Sequence, residues 1–158
     1  MFEIYTQWVE RPEAASGTGH SLALKIAEKK LGYIPEIHTG ENGKPYIDGL
    51  FFNISHSHSL VVCAFSDCEI GIDVEKIREY RPRVAEKFHP EEISRLEKAI
   101  DKDLEFFKIW TMKEAYVKCS AVGISKALSF NVFDIPNIYT EIRDGYVISV
   151  CTKEAAIV

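Results

Sequence analysis

The sequence predicts an α+β protein in which two similar lobes meet near Gly71, each a small, mostly antiparallel sheet packed with helices. Alternating apolar strands are interspersed with helical segments, in the order strand, helix, strands and then strand, helices, strands. Turn residues separate the strands, and no solenoid repeat or low-complexity linker divides the chain. We therefore expect closely packed lobes, residues 1–70 and residues 71–158.

The composition is that of an ordinary globular protein. The chain has 158 residues, 46% hydrophobic and 27% charged, with a formal net charge of −5. Such a charge gives no basic field for nucleic acid, and no apolar run reaches the roughly 18 residues of a membrane span. The N-terminal "MFEIYTQWVERPE" has neither the basic nor the apolar region of a signal peptide, so we expect none.

The cysteine spacing favours a reduced protein. Cys63, Cys68, Cys119 and Cys151 match no paired zinc or redox motif. A disulfide framework is the alternative, but structural thiols in a cytoplasmic protein fit the spacing better. The predicted location is the cytoplasm.

In the first lobe, "FEIYTQWV" alternates as a strand does, and "SLALKIAEKKLG" has a helical period that ends at a glycine. The next stretch, "EIHTGENGKPYIDG", is rich in turn residues, which interrupt regular structure. Two further strands, "LFFNIS" and "LVVCAFS", are predicted on either side of a polar loop, "HSHS".

In the second lobe a strand runs from Ile70 to Val74 and ends at Glu75. A helical region follows, with breaks near Pro82, Pro90 and Asp101. The tail is predicted to form three strands, "LSFNVFDI", "IYTEIRD" and "YVISVCT", the last two joined by a hairpin at Asp144-Gly145.

The stretch "GIDVEK" places two carboxylates on one side of an apolar strand. Residues two apart in a strand face the same way, so Asp73 and Glu75 project together. They repel each other unless a cation or water separates them. The alternative is a solvated strand end.

A third carboxylate interrupts the apolar face of the helix "FFKIWTMKEAYVK". Glu114 lies four residues after Trp110, where burial is costly without a compensating charge. With Asp73 and Glu75 it would supply three oxygen ligands, which suit Mg²⁺. The alternative is a surface glutamate paired with Lys118 at i+4.

Several other residues could contact an anion. Lys118 could meet a phosphate on the same metal, and Lys44 lies in the turn "NGKPY". Ser55 and His56 could bind a phosphate, although a polar loop making local turns explains them equally well. His-x-His lacks a third ligand with zinc spacing. Lys113 is predicted to lie at the edge of the helix face.

Four stretches in order resemble the 4′-phosphopantetheinyl transferases of the surfactin-synthetase-activating (Sfp-like) type. They are "GKP" at 43–45, "FNISHS" at 52–57, "GIDVEK" at 71–76 and "FFKIWTMKEAYVK" at 106–118. The resemblance implies transfer of 4′-phosphopantetheine from coenzyme A to a serine of an acyl or peptidyl carrier protein, with release of adenosine 3′,5′-bisphosphate. It also implies the two-lobed, pseudo-duplicated fold of that family.

By the same resemblance the active site would lie between the lobes, and we expect a monomer because two lobes in one chain can build the whole site. Asp73, Glu75 and Glu114 would hold Mg²⁺, or Mn²⁺ as a substitute, on the coenzyme A pyrophosphate, and Lys118 would contact the phosphates. The base for the carrier serine would be Glu114, Glu92 or a water on the metal.

The first lobe would take the 3′-phosphate of coenzyme A. Ser55 and His56 would bind it, with Lys44 beside it. His20 stands where relatives often have an arginine for the nucleotide phosphates. The arginines of "IREYRPRV" are one candidate patch for docking the carrier protein, and a solvated charge run is the alternative.

Two other functions stay open from the residues alone. One is a metal-dependent phosphodiesterase or nuclease, which would use a similar set of carboxylates and a lysine. The other is a non-catalytic module that binds coenzyme A or a carrier protein.

Overall fold

The fold, taken from a computed structural model, is described for residues 1–153. The last five positions of the predicted second lobe, 154–158, lie outside the described residues. The strands are β1 Phe2–Trp8, β2 His38–Thr39, β3 Pro45–Tyr46, β4 Phe51–Ser57, β5 Leu60–Ser66, β6 Ile70–Lys76, β7 Ile138–Arg143 and β8 Tyr146–Thr152. The helices are α1 Ala15–Leu31, α2 Pro82–Ala85, α3 Pro90–Lys98, α4 Lys102–Ser120 and α5 Ile124–Ala127, with 3₁₀ turns at Pro12–Ala14 and Val132–Asp134.

The first sheet is antiparallel with strand order β1-β5-β4, and α1 packs on it. This helix begins at Ala15, earlier than the predicted start at Ser21. Gly19 permits the extra turns to lie close to the sheet, because a Cβ there would be 2.7 Å from Cγ2 of Ile54. The helix ends at Gly32, whose φ of 79° is the left-handed conformation that glycine adopts freely.

The prediction of a four-residue polar loop after β4 is wrong. His56 and Ser57 continue the strand and pair with Val61 and Leu60, so that only two residues, 58 and 59, form the turn. The turn-rich stretch before β4 likewise contains a short hairpin, β2–β3.

The second sheet is antiparallel with order β6-β8-β7, and α4 lies across it. Gly71 allows this close approach, since a Cβ there would lie 2.1 Å from the carbonyl oxygen of Ala115. The predicted hairpin between β7 and β8 is confirmed, with φ of 51° at Asp144 and 79° at Gly145.

The predicted strand "LSFNVFDI" is wrong, because this segment forms a turn and a 3₁₀ helix. Its carbonyl groups at Leu128 and Phe130 accept hydrogen bonds from Lys113, and the N–H of Val132 donates to Glu92. These backbone groups are therefore not free to pair with a strand.

One buried core joins the two sheets. It contains Leu60, Val62 and Ala64 from β5, Ile70, Ile72 and Val74 from β6, and Tyr146, Ile148 and Val150 from β8. The prediction of an α+β fold with small antiparallel sheets packed with helices is confirmed. The lobe boundary near Gly71 stays a prediction, and the shared core crosses it.

Two further findings concern the chain as a whole. No helix within residues 1–153 combines the length and the apolar character that crossing a membrane requires. The four cysteines are free, and three of them are buried.

Candidate active site

A row of polar side chains connects the two sheets where β4 runs beside β6. Three alternate side chains of β4 accept hydrogen bonds from three alternate backbone N–H groups of β6. The pairs are Asn53 Oδ1 with Ile72 N at 2.9 Å, Ser55 Oγ with Val74 N at 3.3 Å and Ser57 Oγ with Lys76 N at 3.1 Å. This row places the carboxylates of β6 at the junction of the sheets.

Asp73 is almost completely buried at this junction. Its Oδ1 accepts hydrogen bonds from Lys118 Nζ at 2.7 Å and Ser55 Oγ at 3.1 Å, whereas Oδ2 is buried without a partner among residues 1–153. Burial raises the pKa of the Asp73 carboxyl, and the charge of Lys118 opposes that rise. An oxygen buried without a partner is costly unless a ligand binds it.

Glu75 is held by one neighbour on each side. Its Oε2 accepts from Ser57 Oγ at 3.2 Å and from Arg78 Nη1 at 3.0 Å. The Arg78 guanidinium also lies 4.8 Å from the centre of the Phe107 ring, which fixes it against α4.

Glu114 approaches from α4 and is half-buried. Burial raises the pKa of its carboxyl, the charge of Asp73 raises it further, and Lys118 opposes both effects. The alternative of a surface pair with Lys118 is not observed, because Lys118 pairs with Asp73 instead.

These side chains surround one pocket of about 350 Å³. Its lining consists of Ile54, Ser55, His56, Asp73, Glu75, Arg81, Trp110, Glu114 and Lys118. A second pocket of about 510 Å³ adjoins it, because both are lined by Ile54 and Lys118. Lys44 and Gly123 line the second pocket.

The carboxylate oxygens in the first pocket are the type of ligand that hard divalent cations bind. Three carboxylates share one pocket, and within the described part of the chain no group hydrogen-bonds to Oδ2 of Asp73. Across residues 1–153, however, no three His, Cys, Asp or Glu side chains converge as a ready-made metal cluster. Lys118 occupies the other Asp73 oxygen, so it and a cation would compete for this carboxylate.

The residues that the sequence predicted to bind an anion differ in whether their side chains are already hydrogen-bonded. The His56 side chain is exposed at the pocket, but the Ser55 hydroxyl is engaged by Asp73, Val74 and Lys118. The ammonium of Lys44 donates to Glu69 Oε2 at 3.3 Å and to the carbonyl oxygens of Ile70 and Lys118.

Two predicted site residues line neither pocket. His20 is exposed on α1, where its ring nitrogen lies 3.2 Å from the carbonyl oxygen of Ser16. Glu92 is fully buried and forms an ion pair of 2.8 Å with Lys113. The prediction that Lys113 lies at a helix edge is wrong, since it too is fully buried.

Ser57 and Arg78 contact Glu75, although Ser57 was not predicted as a site residue and Arg78 was predicted only as part of a docking patch. For Ser57 a signal was present, because it follows Ser55 by two residues, as Glu75 follows Asp73. For Arg78 the spacing of three residues after Glu75 gave no such periodic signal.

Comparison with known proteins shows the family to which the chain is similar. The family described as 4′-phosphopantetheinyl transferase superfamily matches residues 69–152. A 4′-phosphopantetheinyl transferase of Bacillus subtilis is 40% identical over 140 residues, covering 81% of this chain and 62% of the relative. The 4′-phosphopantetheinyl transferase Sfp of Bacillus subtilis strain 168 is 36% identical over 137 residues, covering 72% and 61%.

The 4′-phosphopantetheinyl transferase gsp of Aneurinibacillus migulanus is 42% identical over 105 residues, covering 64% of this chain and 44% of the relative. The chain thus spans between 44% and 62% of the length of these three relatives. The family match covers more than half of the chain and includes all of β6 and α4. It confirms the resemblance found in the sequence, and this protein belongs to the 4′-phosphopantetheinyl transferase superfamily.

Proposed function

We propose that this protein transfers 4′-phosphopantetheine from coenzyme A to a serine of an apo acyl or peptidyl carrier protein. The observation that carries the proposal is that Asp73, Glu75, Glu114 and Lys118 line one pocket between the sheets. The relatives are named for the transfer of a 4′-phosphopantetheinyl group. The second product is adenosine 3′,5′-bisphosphate.

Asp73, Glu75 and Glu114 would hold Mg²⁺, with Mn²⁺ as a substitute, and the ion would neutralise charge on the pyrophosphate of coenzyme A. Oδ2 of Asp73 is the oxygen of this set that is buried without a hydrogen-bond partner among residues 1–153. Lys118 supplies a second positive centre, whose ammonium now lies against Oδ1 of Asp73. On substrate binding we expect Lys118 to turn from Asp73 toward the phosphates.

Coenzyme A would bind across the two adjoining pockets, which share Ile54 and Lys118 in their linings. Their volumes of about 350 and 510 Å³ are in the range of small-molecule sites. We place the 3′-phosphate near the exposed His56 ring, with Lys44 beside it on the second pocket. His20 reaches neither pocket and receives no contact in this arrangement.

The proton of the carrier serine requires a base in reach of the first pocket. Glu114 lines that pocket, whereas Glu92 is closed off by Lys113 and by the N–H groups of His89 and Val132. We therefore assign the proton to Glu114.

The remaining features are proposals of the same kind. We expect a cytoplasmic monomer that acts on neither nucleic acid nor membranes. A net charge of −5 means that an acidic carrier must dock through a local patch, for which the exposed Arg81 and Arg83 remain candidates.

The test is the mass of a purified apo carrier protein after incubation with this protein, coenzyme A and Mg²⁺. Carriers from fatty-acid, polyketide and peptide synthases should be tried, and at least one should gain one phosphopantetheine group. Glu114→Gln should abolish the gain while its circular dichroism spectrum stays that of the unchanged protein.

No gain on any carrier would contradict the proposal, as would full activity of Glu114→Gln. Binding of coenzyme A without a mass gain would favour the non-catalytic module. Mg²⁺-dependent cleavage of DNA or a phosphodiester would favour the hydrolase.

A further inference from the structure

The face that β4 turns toward β6 is polar although it is buried. Asn53, Ser55 and Ser57 are 4%, 7% and 8% exposed, in a strand whose partner β5 is almost entirely apolar. Each of the three satisfies one backbone N–H at the edge of β6. That alone would explain polar side chains here, but two of the three make a further contact.

The hydroxyl groups of the two serines donate to the two carboxylates of β6. Ser55 Oγ lies 3.1 Å from Oδ1 of Asp73, and Ser57 Oγ lies 3.2 Å from Oε2 of Glu75. Asn53 has no such contact. In both cases the serine binds one carboxylate oxygen and leaves the other for a ligand.

All the hydrogen-bonding positions of the Ser55 hydroxyl are occupied. A hydroxyl has one proton and two lone pairs. The proton goes to Asp73, and the lone pairs accept from the N–H of Val74 at 3.3 Å and from Lys118 Nζ at 3.2 Å. As long as its proton is donated to Asp73, the hydroxyl has none to donate to a phosphate, which is the role that the family resemblance gives to Ser55.

We propose that Ser55 and Ser57 are positioning residues that hold Asp73 and Glu75 in the orientation needed to bind the divalent cation. The proposal rests on the proposed function for the identity of the cation. Partners of this kind, which orient a metal ligand through a hydrogen bond, typically change metal affinity by about 10- to 100-fold when removed.

The first experiment measures Mg²⁺ binding without any reaction, as the Mg²⁺ concentration that gives half of the maximal rise in melting temperature. Ser57→Ala should raise this concentration about 10-fold or more. Ser57→Thr, which keeps the hydroxyl, should restore it. Asn53→Ala is the matched control, because it also removes a contact to a β6 N–H but touches no carboxylate.

Asn53→Ala should therefore lower the melting temperature while its half-maximal Mg²⁺ concentration stays within about two-fold of the unchanged protein. Equal loss of Mg²⁺ affinity in the Asn53 and Ser57 variants would show that only the strand contact matters, and would overturn the proposal. An unchanged Mg²⁺ response in Ser57→Ala, or no response in the unchanged protein, would also overturn it.

The second experiment uses coenzyme A and 3′-dephospho-coenzyme A as alternative substrates of Ser55→Ala. A positioning role predicts a lower kcat with both substrates to the same extent. A higher KM for coenzyme A alone would assign Ser55 to the 3′-phosphate instead. If no carrier gains mass with the unchanged protein, the proposed transfer fails, while the Mg²⁺ titration still tests the serines.

Discussion

Glu114 is an ionisable residue whose environment opposes its charge in the absence of a cation. Burial and the charge of Asp73 raise the pKa of its carboxyl above the ordinary value of 4.5. The folded protein therefore holds this proton more tightly than the unfolded chain does. Stability from the protonated form is fully present below the unfolded pKa and is lost as the pH rises through the folded pKa.

Replacing Glu114 by Gln should accordingly stabilise the protein at pH 7 in EDTA, because the amide has no charge to desolvate. We expect a rise in melting temperature on the order of a few degrees. Thermal unfolding at several pH values should show the difference shrinking toward pH 4, where the wild-type carboxyl is protonated.

Glu36→Gln is the control for this measurement, since Glu36 is exposed and should shift stability little. Added Mg²⁺ should raise the melting temperature of the wild-type protein far more than that of Glu114→Gln. A Glu114→Gln variant less stable than wild type in EDTA at pH 7 would show that the carboxylate is well compensated without a cation.

For single residues, the sequence identified the carboxylates but not the groups that hydrogen-bond to them. Asp73 and Glu75 could be found because strand periodicity puts them on one side. The roles of Ser55 and Lys44 could not be resolved, since both depend on contacts with residues at least 18 positions away. Which lone pairs and protons are already engaged is a property of the folded chain.

The helix α4 carries both Glu114 and a buried ion pair that fixes the helix in place. The ammonium of Lys113 lies 2.8 Å from Glu92 of α3 and donates to the carbonyl oxygens of Ala127, Leu128 and Phe130. Burial lowers the pKa of Lys113, and the contact with Glu92 opposes this. The pair ties α3, α4 and the segment after α5 together.

Removing one member of this pair should be far more damaging than removing both charges. Lys113→Met leaves a buried, uncompensated carboxylate and should cost about 3–5 kcal/mol of unfolding free energy. The double variant Lys113→Met/Glu92→Gln has no such charge and should recover part of that loss. Urea denaturation of the single and double variants measures the difference.

The same double variant separates a structural from a catalytic Glu92. If Glu92 only supports α4, a folded double variant should retain measurable transfer to a carrier protein. A double variant that recovers its stability but has no transfer activity would instead support Glu92 as the base. A double variant that is no more stable than Lys113→Met would contradict the expected recovery.

The sequence predicted most elements from signals that lie within or beside each element, such as turn residues and helix-starting prolines. The β7–β8 hairpin and the three helical segments after Pro82 are examples. The predicted strand at 128–135 failed for a tertiary reason, since Lys113 and Glu92 bind its backbone. Lys113 was misjudged for the same reason, because nothing in local spacing shows that a lysine has a buried partner 21 positions away.

The two sheets share their core, which bears on how the molecule unfolds. Leu60 and Val62 of the first sheet pack with Ile72 and Ile148 of the second. Contact across the sheets also includes Trp8 of β1 and Tyr146 of β8, whose ring centres are 5.5 Å apart. Neither sheet could keep this apolar surface covered if the other unfolded.

We therefore expect the two sheets to unfold together in a single transition. The chain has two tryptophans, Trp8 on β1 of the first sheet and Trp110 on α4, which packs on the second sheet. One tryptophan therefore reports on each sheet. The Trp110→Phe variant keeps Trp8, and the Trp8→Phe variant keeps Trp110. Fluorescence of each variant in urea should give a midpoint that coincides with its own circular dichroism midpoint.

Both midpoints are measured on the same variant, so an effect of the substitution on stability changes them equally and does not alter the comparison. A fluorescence midpoint that precedes the circular dichroism midpoint in one variant would mean that its side of the molecule opens first. Mg²⁺ should move both fluorescence transitions to higher urea by the same amount, because its proposed ligands lie on β6 and α4, at the junction of the sheets. A shift confined to the Trp110 probe would show that the sheets unfold independently despite their shared core.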